Sequence, residues 1–292
     1  MPVDRDRNRL VVRRLSRVAR HLTTSPSAED VHKFRTNVRR VEAMVLWLGK
    51  KAERDHKKLL KLLGRLRRRA GRVRDVDVQL ATLRSLKLPE EARRKAQLQR
   101  ALSDQRAKRE RKLSQAVDKD TLRKLRKRLR KLESALTFPE DFDPSKVALQ
   151  EFNQLARQQG PLNEDRLHQF RIAAKQVRYV SEMAGKDPEA KRIVSELKKV
   201  QTALGDWHDW QTLTATAEET LGPGVNNALL AALRSATRQK FREAIQALNE
   251  SRPRLLAPSI SVTASLRPAV SRPPSSSPKT SRTAVSDTRA VA

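Results

Sequence analysis

The stretch Val31–Leu48, VHKFRTNVRRVEAMVLWL, carries two stripes of side chains at helical spacing. Its apolar stripe recurs at steps of three and four residues, which predicts one face of a helix packed in a bundle. Its polar stripe recurs at the same steps on a neighbouring face and comprises His32, Arg35 and Arg39. Imidazole and guanidinium groups in one arc suit contact with an anion, although a single helix of this kind is also typical of a solvated basic surface. The apolar stripe comprises Val31, Phe34, Val38, Val41, Val45 and Leu48.

This stretch returns in the second half of the chain as Leu167–Ala184, LHQFRIAAKQVRYVSEMA, at an offset of 136 positions. The polar stripe returns with it as His168, Arg171, Lys175 and Arg178. A second pair of blocks follows in the same order, Leu63–Asp75 and Leu197–Asp209, at an offset of 134. Two matched blocks in the same order indicate an internal duplication of roughly half the chain. A solvated face has no need to keep His and Arg in register, so the duplication favours anion binding.

The order of these motifs resembles the CHAD domain, the conserved histidine α-helical domain. The motifs are H-x-F-R-x-x-x-R-R at His32–Arg40, G-x-x-R-D at Gly71–Asp75, H-x-F-R-x-x-x-K at His168–Lys175 and L-G-x-x-H-D at Leu204–Asp209. The resemblance covers about residues 5–250. It implies an all-α fold of two pseudo-symmetric four-helix bundles packed together. It also implies binding of inorganic polyphosphate through a basic surface and association with polyphosphate granules.

The composition independently predicts a polyanionic partner. Lys and Arg number 64 against 33 Asp and Glu among 292 residues, a formal net charge of +31. Such an excess predicts strong, salt-sensitive binding to a polyanion. Aromatic residues make up only 3% of the chain, whereas single-strand nucleic-acid binders stack bases on aromatic side chains. The scarcity of aromatic residues favours a partner without bases. The alternative to polyphosphate binding is a sequence-nonspecific nucleic-acid-binding protein, because phosphate contacts alone can hold a duplex.

The sequence contains no motif that indicates catalysis. A glycine-rich phosphate loop, an H-E-x-x-H motif and a nucleophile elbow are all missing, and the absence of cysteine excludes a thiolate metal site. Asp75 and Asp209 are interpreted as ion-pair partners that orient neighbouring cations. We therefore expect a binding module that is not an enzyme and that uses no cofactor or metal.

The chain also lacks the signals of membrane insertion or export. No apolar run approaches the ~18 residues of a membrane span, and the N-terminal MPVDRDRNRL lacks an apolar signal core. We expect a cytoplasmic protein that does not bind membranes.

Residues 1–250 are expected to form the CHAD domain, with repeat 1 at about 5–137, a linker at 138–144 and repeat 2 at about 145–250. Helix starts are predicted at Ser27, Asn163 and Asp187–Pro188 from their capping signals. Residues 251–292 are rich in Pro, Ser and Arg without apolar periodicity, which predicts a disordered tail. One alternative gives this tail a scaffolding role, in which it recruits partners to the granule.

Gly71 and Gly205 occupy matching mid-helix positions, where glycine costs about 1 kcal/mol relative to alanine. Their repetition predicts close helix packing at both positions.

The polyphosphate-binding residues are predicted to line the two walls of one groove between the repeats. Nearby phosphates raise the pKa of a histidine and keep it charged, and Arg suits bidentate contacts to phosphate oxygens. Gln176 stands where repeat 1 has Arg40, so we expect repeat 2 to hold the anion less tightly. The predicted set comprises His32, Arg35, Arg39, Arg40, Arg65, Arg68 and Arg74 from repeat 1, and His168, Arg171, Lys175, Arg178, Lys199 and His208 from repeat 2.

Overall fold

A computed structural model describes residues 3–48, 53–147, 149–150, 162–222 and 228–256. The chain divides into one compact unit, Met1–Ala257, and a second, Pro258–Ala292; the second unit lies outside the described residues. Within the described part, regular structure is entirely helical and no strand is present, so the predicted all-α fold is confirmed. Among these helices, none combines the length and apolar character needed to cross a membrane.

Repeat 1 forms α1 (Arg5–Val18), α2 (Ala28–Leu46), α3 (Glu53–Ser85), α4 (Ala92–Ala116) and α5 (Lys119–Ser134), with 3₁₀ turns at Ala19–Leu22 and Pro89–Glu91. The predicted start of α2 is confirmed, because Ser27 and Asp30 form a capping box. The Ser27 hydroxyl accepts from the Asp30 N–H at 3.1 Å, and the Asp30 carboxylate accepts from the Ser27 N–H at 3.2 Å.

Repeat 2 forms α6 (Glu164–Ser181), a 3₁₀ turn (Glu182–Ala184), α7 (Pro188–Leu221) and α8 (Ala228–Leu256). Asn163 and Asp187 cap α6 and α7 as predicted, accepting backbone N–H groups of Arg166 and Ala190 at 3.0 and 2.7 Å. In chain order, α2, α3 and α4 correspond to α6, α7 and α8. Residues 144–147 and 149–150 are also helical, and residues 148 and 151–161 lie outside the described residues.

The apolar side chains form two clusters, and both draw on the two repeats. The larger cluster contains the apolar stripes of α2 and α6, including Phe34 and Phe170, together with Trp207 of α7. The smaller cluster joins the α3–α4 hairpin to the α7–α8 hairpin through residues such as Leu102 and Leu230. Because neither cluster belongs to one repeat alone, the two repeats are held together by shared hydrophobic burial.

The N-terminus of α1 is anchored to the turn that follows α6. The Asp4 N–H donates to the Met183 carbonyl at 3.0 Å, and the Arg7 guanidinium donates to the Gly185 carbonyl at 3.1 Å. Gly185 has a φ of +70°, and a Cβ there would lie 2.3 Å from an Asp4 carboxylate oxygen. Glycine is therefore required at this contact between the repeats.

The predicted linker, residues 138–144, packs against the rest of the protein, since the Phe142 ring stacks on Trp47 and Phe138 with centroids 5.2 and 5.7 Å apart. The predicted tail begins too early, because α8 continues to Leu256 and buries Ser251 and Leu255. The rest of the predicted tail, 257–292, lies outside the described residues.

We predict that Phe142→Ala lowers the free energy of unfolding by about 3 kcal/mol, because it removes a buried ring from a stacked cluster. The matched control is Leu46→Ala, at a position that is 61% exposed and should change stability by less than about 0.5 kcal/mol. Urea unfolding measures both values. Equal effects of the two variants would show that the segment behaves as a free connection.

Candidate anion-binding cleft

A cleft of about 740 Å³ opens between the two repeats. Its walls come from α2 and α3 on one side and from α6 and α7 on the other, with Arg7 of α1 and the Gly185 turn also lining it. Eleven Arg and Lys residues line it against three acidic residues, Asp75, Glu182 and Asp209. The surface is therefore concave and strongly electropositive. The eleven cations are Arg7, Arg35, Arg39, Arg40, Arg74, Arg171, Lys175, Arg178, Lys186, Lys191 and Lys198.

Three half-buried cations from the two repeats form the centre of this cleft: Arg39 of α2, and Arg171 and Lys175 of α6. Burial lowers the pKa of Lys175 to about 7, and repulsion by Arg171 and Arg39 contributes. Burial likewise lowers the pKa of Arg171, with Asp209 opposing the shift and Arg39 adding to it. Among the described residues, none of the three forms an ion pair, in contrast to Arg35 and Arg40. Their charges are therefore available to an incoming anion.

An unused hydrogen-bond donor accompanies these charges. The Nε atom of Arg171 is buried and has no hydrogen-bond partner among the described residues. Because buried polar groups are normally paired, this N–H group suits a bound oxyanion.

The histidines and their neighbours keep the duplicated arrangement. Burial lowers the pKa of His32, and the adjacent Arg74 adds to the shift. In repeat 2, the centroids of the His168 and His208 rings lie 5.7 Å apart. His208 is thus the neighbour of His168, as Arg74 is the neighbour of His32 in repeat 1. Burial lowers the pKa of His208 to about 4, with Arg171 and then His168 contributing. Both His32 and His208 are therefore neutral at pH 7 unless an anion raises their pKa values.

Of the two aspartates predicted to pair with neighbouring cations, Asp75 does so, whereas the prediction for Asp209 was wrong. Asp75 Oδ1 lies 3.2 Å from Arg35 Nη1, which also donates to the Gly71 carbonyl at 3.0 Å. Asp209 forms no ion pair among the described residues, and burial raises its pKa to about 6 against the opposing effects of Arg171 and Lys175. Across the described part of the chain, no group of three or more His, Asp or Glu residues could hold a metal ion.

Glu182 forms an ionic link between the repeats. Its buried carboxylate lies 2.7 Å from Arg40 Nε of α2 and 3.7 Å from Arg178 Nε of α6. This carboxylate neutralises part of the cleft, whereas the central cations have no such partner.

The two mid-helix glycines have different surroundings from those predicted. A Cβ on Gly71 would lie 3.5 Å from Arg35 Nη1, an ordinary contact, and a Cβ on Gly205 would meet no atom within 4 Å. Close helix packing is therefore the wrong explanation at Gly205, which lines the cleft. Its missing side chain leaves space for a ligand.

The structure brings ten of the thirteen predicted residues to the cleft or its edge. His168 and His208 lie beside the lining, next to Arg171 and Lys175. Eight line the cleft directly: His32, Arg35, Arg39, Arg40, Arg74, Arg171, Lys175 and Arg178.

The other three predicted residues, Arg65, Arg68 and Lys199, do not line the cleft, and their predicted placement there was wrong. Arg65 lies near the Asp118 carboxylate that caps α5, and Lys199 Nζ lies 2.6 Å from Glu196. On α3, Arg65 is nine residues before Arg74, about half a turn away around the helix. Since Arg65 and Lys199 are equivalent positions, the duplication carried the same error into repeat 2.

Four cations of the cleft are absent from the predicted set: Arg7, Lys186, Lys191 and Lys198. Lys191 and Lys198 precede Gly205 by multiples of seven, a spacing that keeps them on one helix face. That spacing could have identified both lysines. Arg7 and Lys186 reach the cleft only through the tertiary contact between α1 and the Gly185 turn.

Comparisons with known proteins agree with this architecture. The CHAD domain family model matches residues 9–218. The CHAD domain of the plant Ricinus communis has a similar structure, with a TM-score of 0.63 and 17% identity over 85% of this chain and 88% of that chain. PptA from Streptomyces chartreusis gives a TM-score of 0.60 and 15% identity over 87% and 99%.

No curated protein sequence matches the chain significantly. At such low identities the two structures establish the fold alone, whereas the family match spans well over half of the sequence. The chain belongs to the CHAD domain family.

Proposed function

We propose that this protein binds inorganic polyphosphate in the cleft between its repeats and does not transform it. The observation that carries this proposal is the meeting of Arg39, Arg171 and Lys175, contributed by both repeats, without ion-pair partners among the described residues. The CHAD family is known for polyphosphate binding, which supports this choice of ligand.

The shape of the cleft favours a thin polyanion over a duplex. Its central cations are half-buried between helices, where a single chain of phosphates can enter. A nucleic-acid duplex carries its phosphates on a wide cylinder and cannot bring them against groups so recessed. A linear phosphate chain also offers oxygens on all sides, which suits cations from two facing walls.

In the proposed complex, guanidinium groups donate paired hydrogen bonds to phosphate oxygens. The phosphates replace the missing counter-ions of the central cations and release bound salt, so affinity falls steeply as salt rises. The same binding would hold the protein on polyphosphate granules in the cytoplasm. No covalent step is required of any cleft residue.

We predict that Arg39→Gln, Arg171→Gln and Lys175→Gln together weaken polyphosphate binding by about 100-fold at about 0.15 M salt, because three phosphate contacts are lost. The matched control is Lys124→Gln, Arg126→Gln and Arg130→Gln, which removes the same charge from exposed positions of α5. Isothermal titration calorimetry measures both affinities. The cleft variant should also melt at a higher temperature than the parent without ligand, because it relieves repulsion between cations.

Equal losses in the two variants would contradict a specific cleft and indicate diffuse attraction to the whole basic surface. A competition experiment tests the remaining alternative with labelled polyphosphate and duplex DNA or RNA at matched charge. Displacement by nucleic acid at equal charge would instead favour a sequence-nonspecific nucleic-acid-binding protein.

We predict that affinity for polyphosphate falls as the pH rises from about 7 to 9. In the protein without ligand, burial lowers the pKa of Lys175 to about 7. Bound phosphates raise this pKa, so binding between about pH 7 and 9 is accompanied by uptake of a proton. Lys175→Arg should flatten the profile, because arginine stays charged throughout. A profile identical in the parent and in this variant would exclude Lys175 from the ligand contact.

The stability of the unliganded protein should follow the opposite trend. The folded-state pKa of Lys175 is lowered, so the unfolded chain binds more protons between about pH 7 and 10. This group therefore makes the free protein more stable as the pH rises, while it makes the complex weaker. Thermal melting with and without polyphosphate separates the two trends.

A further inference from the structure

A second basic groove, of about 330 Å³, lies between α3 and α4, and we name it the α3–α4 groove. Five of the six residues that line it are cations, and no carboxylate is among them. Among the described residues, none of the five forms an ion pair. By contrast, two other arginines of α4 do, Arg94 with Glu91 and Arg106 with Asp77. The groove is lined by Arg69, Arg72, Gln105, Lys108, Arg109 and Lys112.

This groove uses part of α3 that the cleft leaves out. Arg72 belongs to the basic stripe of α3 that also contains Arg65 and Arg68, on the side of the helix away from Arg74. Arg109 Nη1 donates to the Arg72 carbonyl at 2.9 Å, which holds the Arg109 head group against α3. Arg69 and Arg72 stand one helical turn apart along the same edge.

The groove and the cleft meet at Asp75. The Asp75 carboxylate pairs with Arg35 in the cleft. Burial lowers the pKa of Arg109, while the charge of Asp75 opposes the shift and that of Arg72 adds to it, so Arg109 lies within interaction range of both. Six residues of helix separate Arg69 from Asp75, a distance of about 9 Å. Asp75 thus lies between the cations of the two sites, with Arg35 in the cleft on one side and Arg109 and Arg72 in the groove on the other.

We propose that the α3–α4 groove is a second polyphosphate-binding segment that continues the cleft. A long polyphosphate chain occupies both, whereas a short one occupies the cleft alone. This inference rests on the proposed function and adds a dependence on polymer length.

Net positive charge alone does not distinguish this groove, because other surfaces are also basic. The pocket between α1 and α5 is lined by five arginines, but Glu133 lies among them and pairs with Arg13 at 2.5 Å. On the same face of α5, Arg123 pairs with Asp120 at 3.0 Å. The α3–α4 groove differs because its lining contains no carboxylate and because it reaches the cleft.

The test compares tripolyphosphate with a long polyphosphate of defined length, using the full chain and calorimetry at about 0.15 M salt. The groove variant carries Arg69→Gln, Arg72→Gln and Lys108→Gln, which keep the Arg109 bond to the Arg72 backbone. The control is again Lys124→Gln, Arg126→Gln and Arg130→Gln. We expect the groove variant to bind the long polymer about tenfold more weakly, with a salt slope smaller by about 2. Its affinity for tripolyphosphate should change by less than about twofold, and the control should change little for either ligand.

Two results would overturn the inference. In the first, the groove variant and the control bind the long polymer equally well, while the variant with Arg39→Gln, Arg171→Gln and Lys175→Gln binds neither ligand. This result would show that the cleft functions without the groove. In the second, the groove variant loses both ligands equally, so the groove acts on the cleft rather than on a longer chain. If the unmodified protein binds neither ligand, the proposed function itself fails. In the two results above the unmodified protein still binds, so only the inference about the groove fails.

Discussion

Repulsion among Arg39, Arg171 and Lys175 is the constraint on which the rest of this structure depends. The fold holds these like charges together, half-buried, and lowers the pKa of each. The three cations repel one another, so the hydrophobic clusters shared by the repeats hold them in place, and the charge of Asp209 opposes part of the repulsion. In the free protein the cleft is electrostatically unfavourable. A polyanion that enters the cleft relieves the repulsion. The same three residues therefore strengthen binding of the polyanion and lower the stability of the free protein.

The two paired carboxylates of the cleft fit this view, because they position cations without neutralising its centre. Glu182 links Arg40 of repeat 1 to Arg178 of repeat 2, and Asp75 fixes the Arg35 head group. Both carboxylates pair with cations other than the three central ones. Asp75 also lies where the cleft meets the α3–α4 groove, so one carboxylate separates the two basic surfaces. In our account, a long polymer passes this carboxylate while a short one stops before it.

The duplicated stripes predicted the helices and most of the cleft, because a helix has a fixed angular period and both copies keep His, Arg and Lys in register. The errors arose where angle or packing was not considered. Arg65 is predicted beside Arg74 although the two lie about half a turn apart around α3, and the equivalent Lys199 repeats this error in repeat 2. The acidic and proline residues around Phe142 indicate a linker, but they give no sign that its ring stacks on Trp47. Contacts that depend on tertiary docking, such as that of Arg7, leave no local pattern in the sequence.

A crystal structure of the protein with bound tripolyphosphate tests the central claim most directly. The account predicts phosphate oxygens within hydrogen-bond distance of Arg39, Arg171 and Lys175, between the walls formed by α2 and α6. Phosphates held only on the outer face of α5, with the cleft containing none, would contradict it.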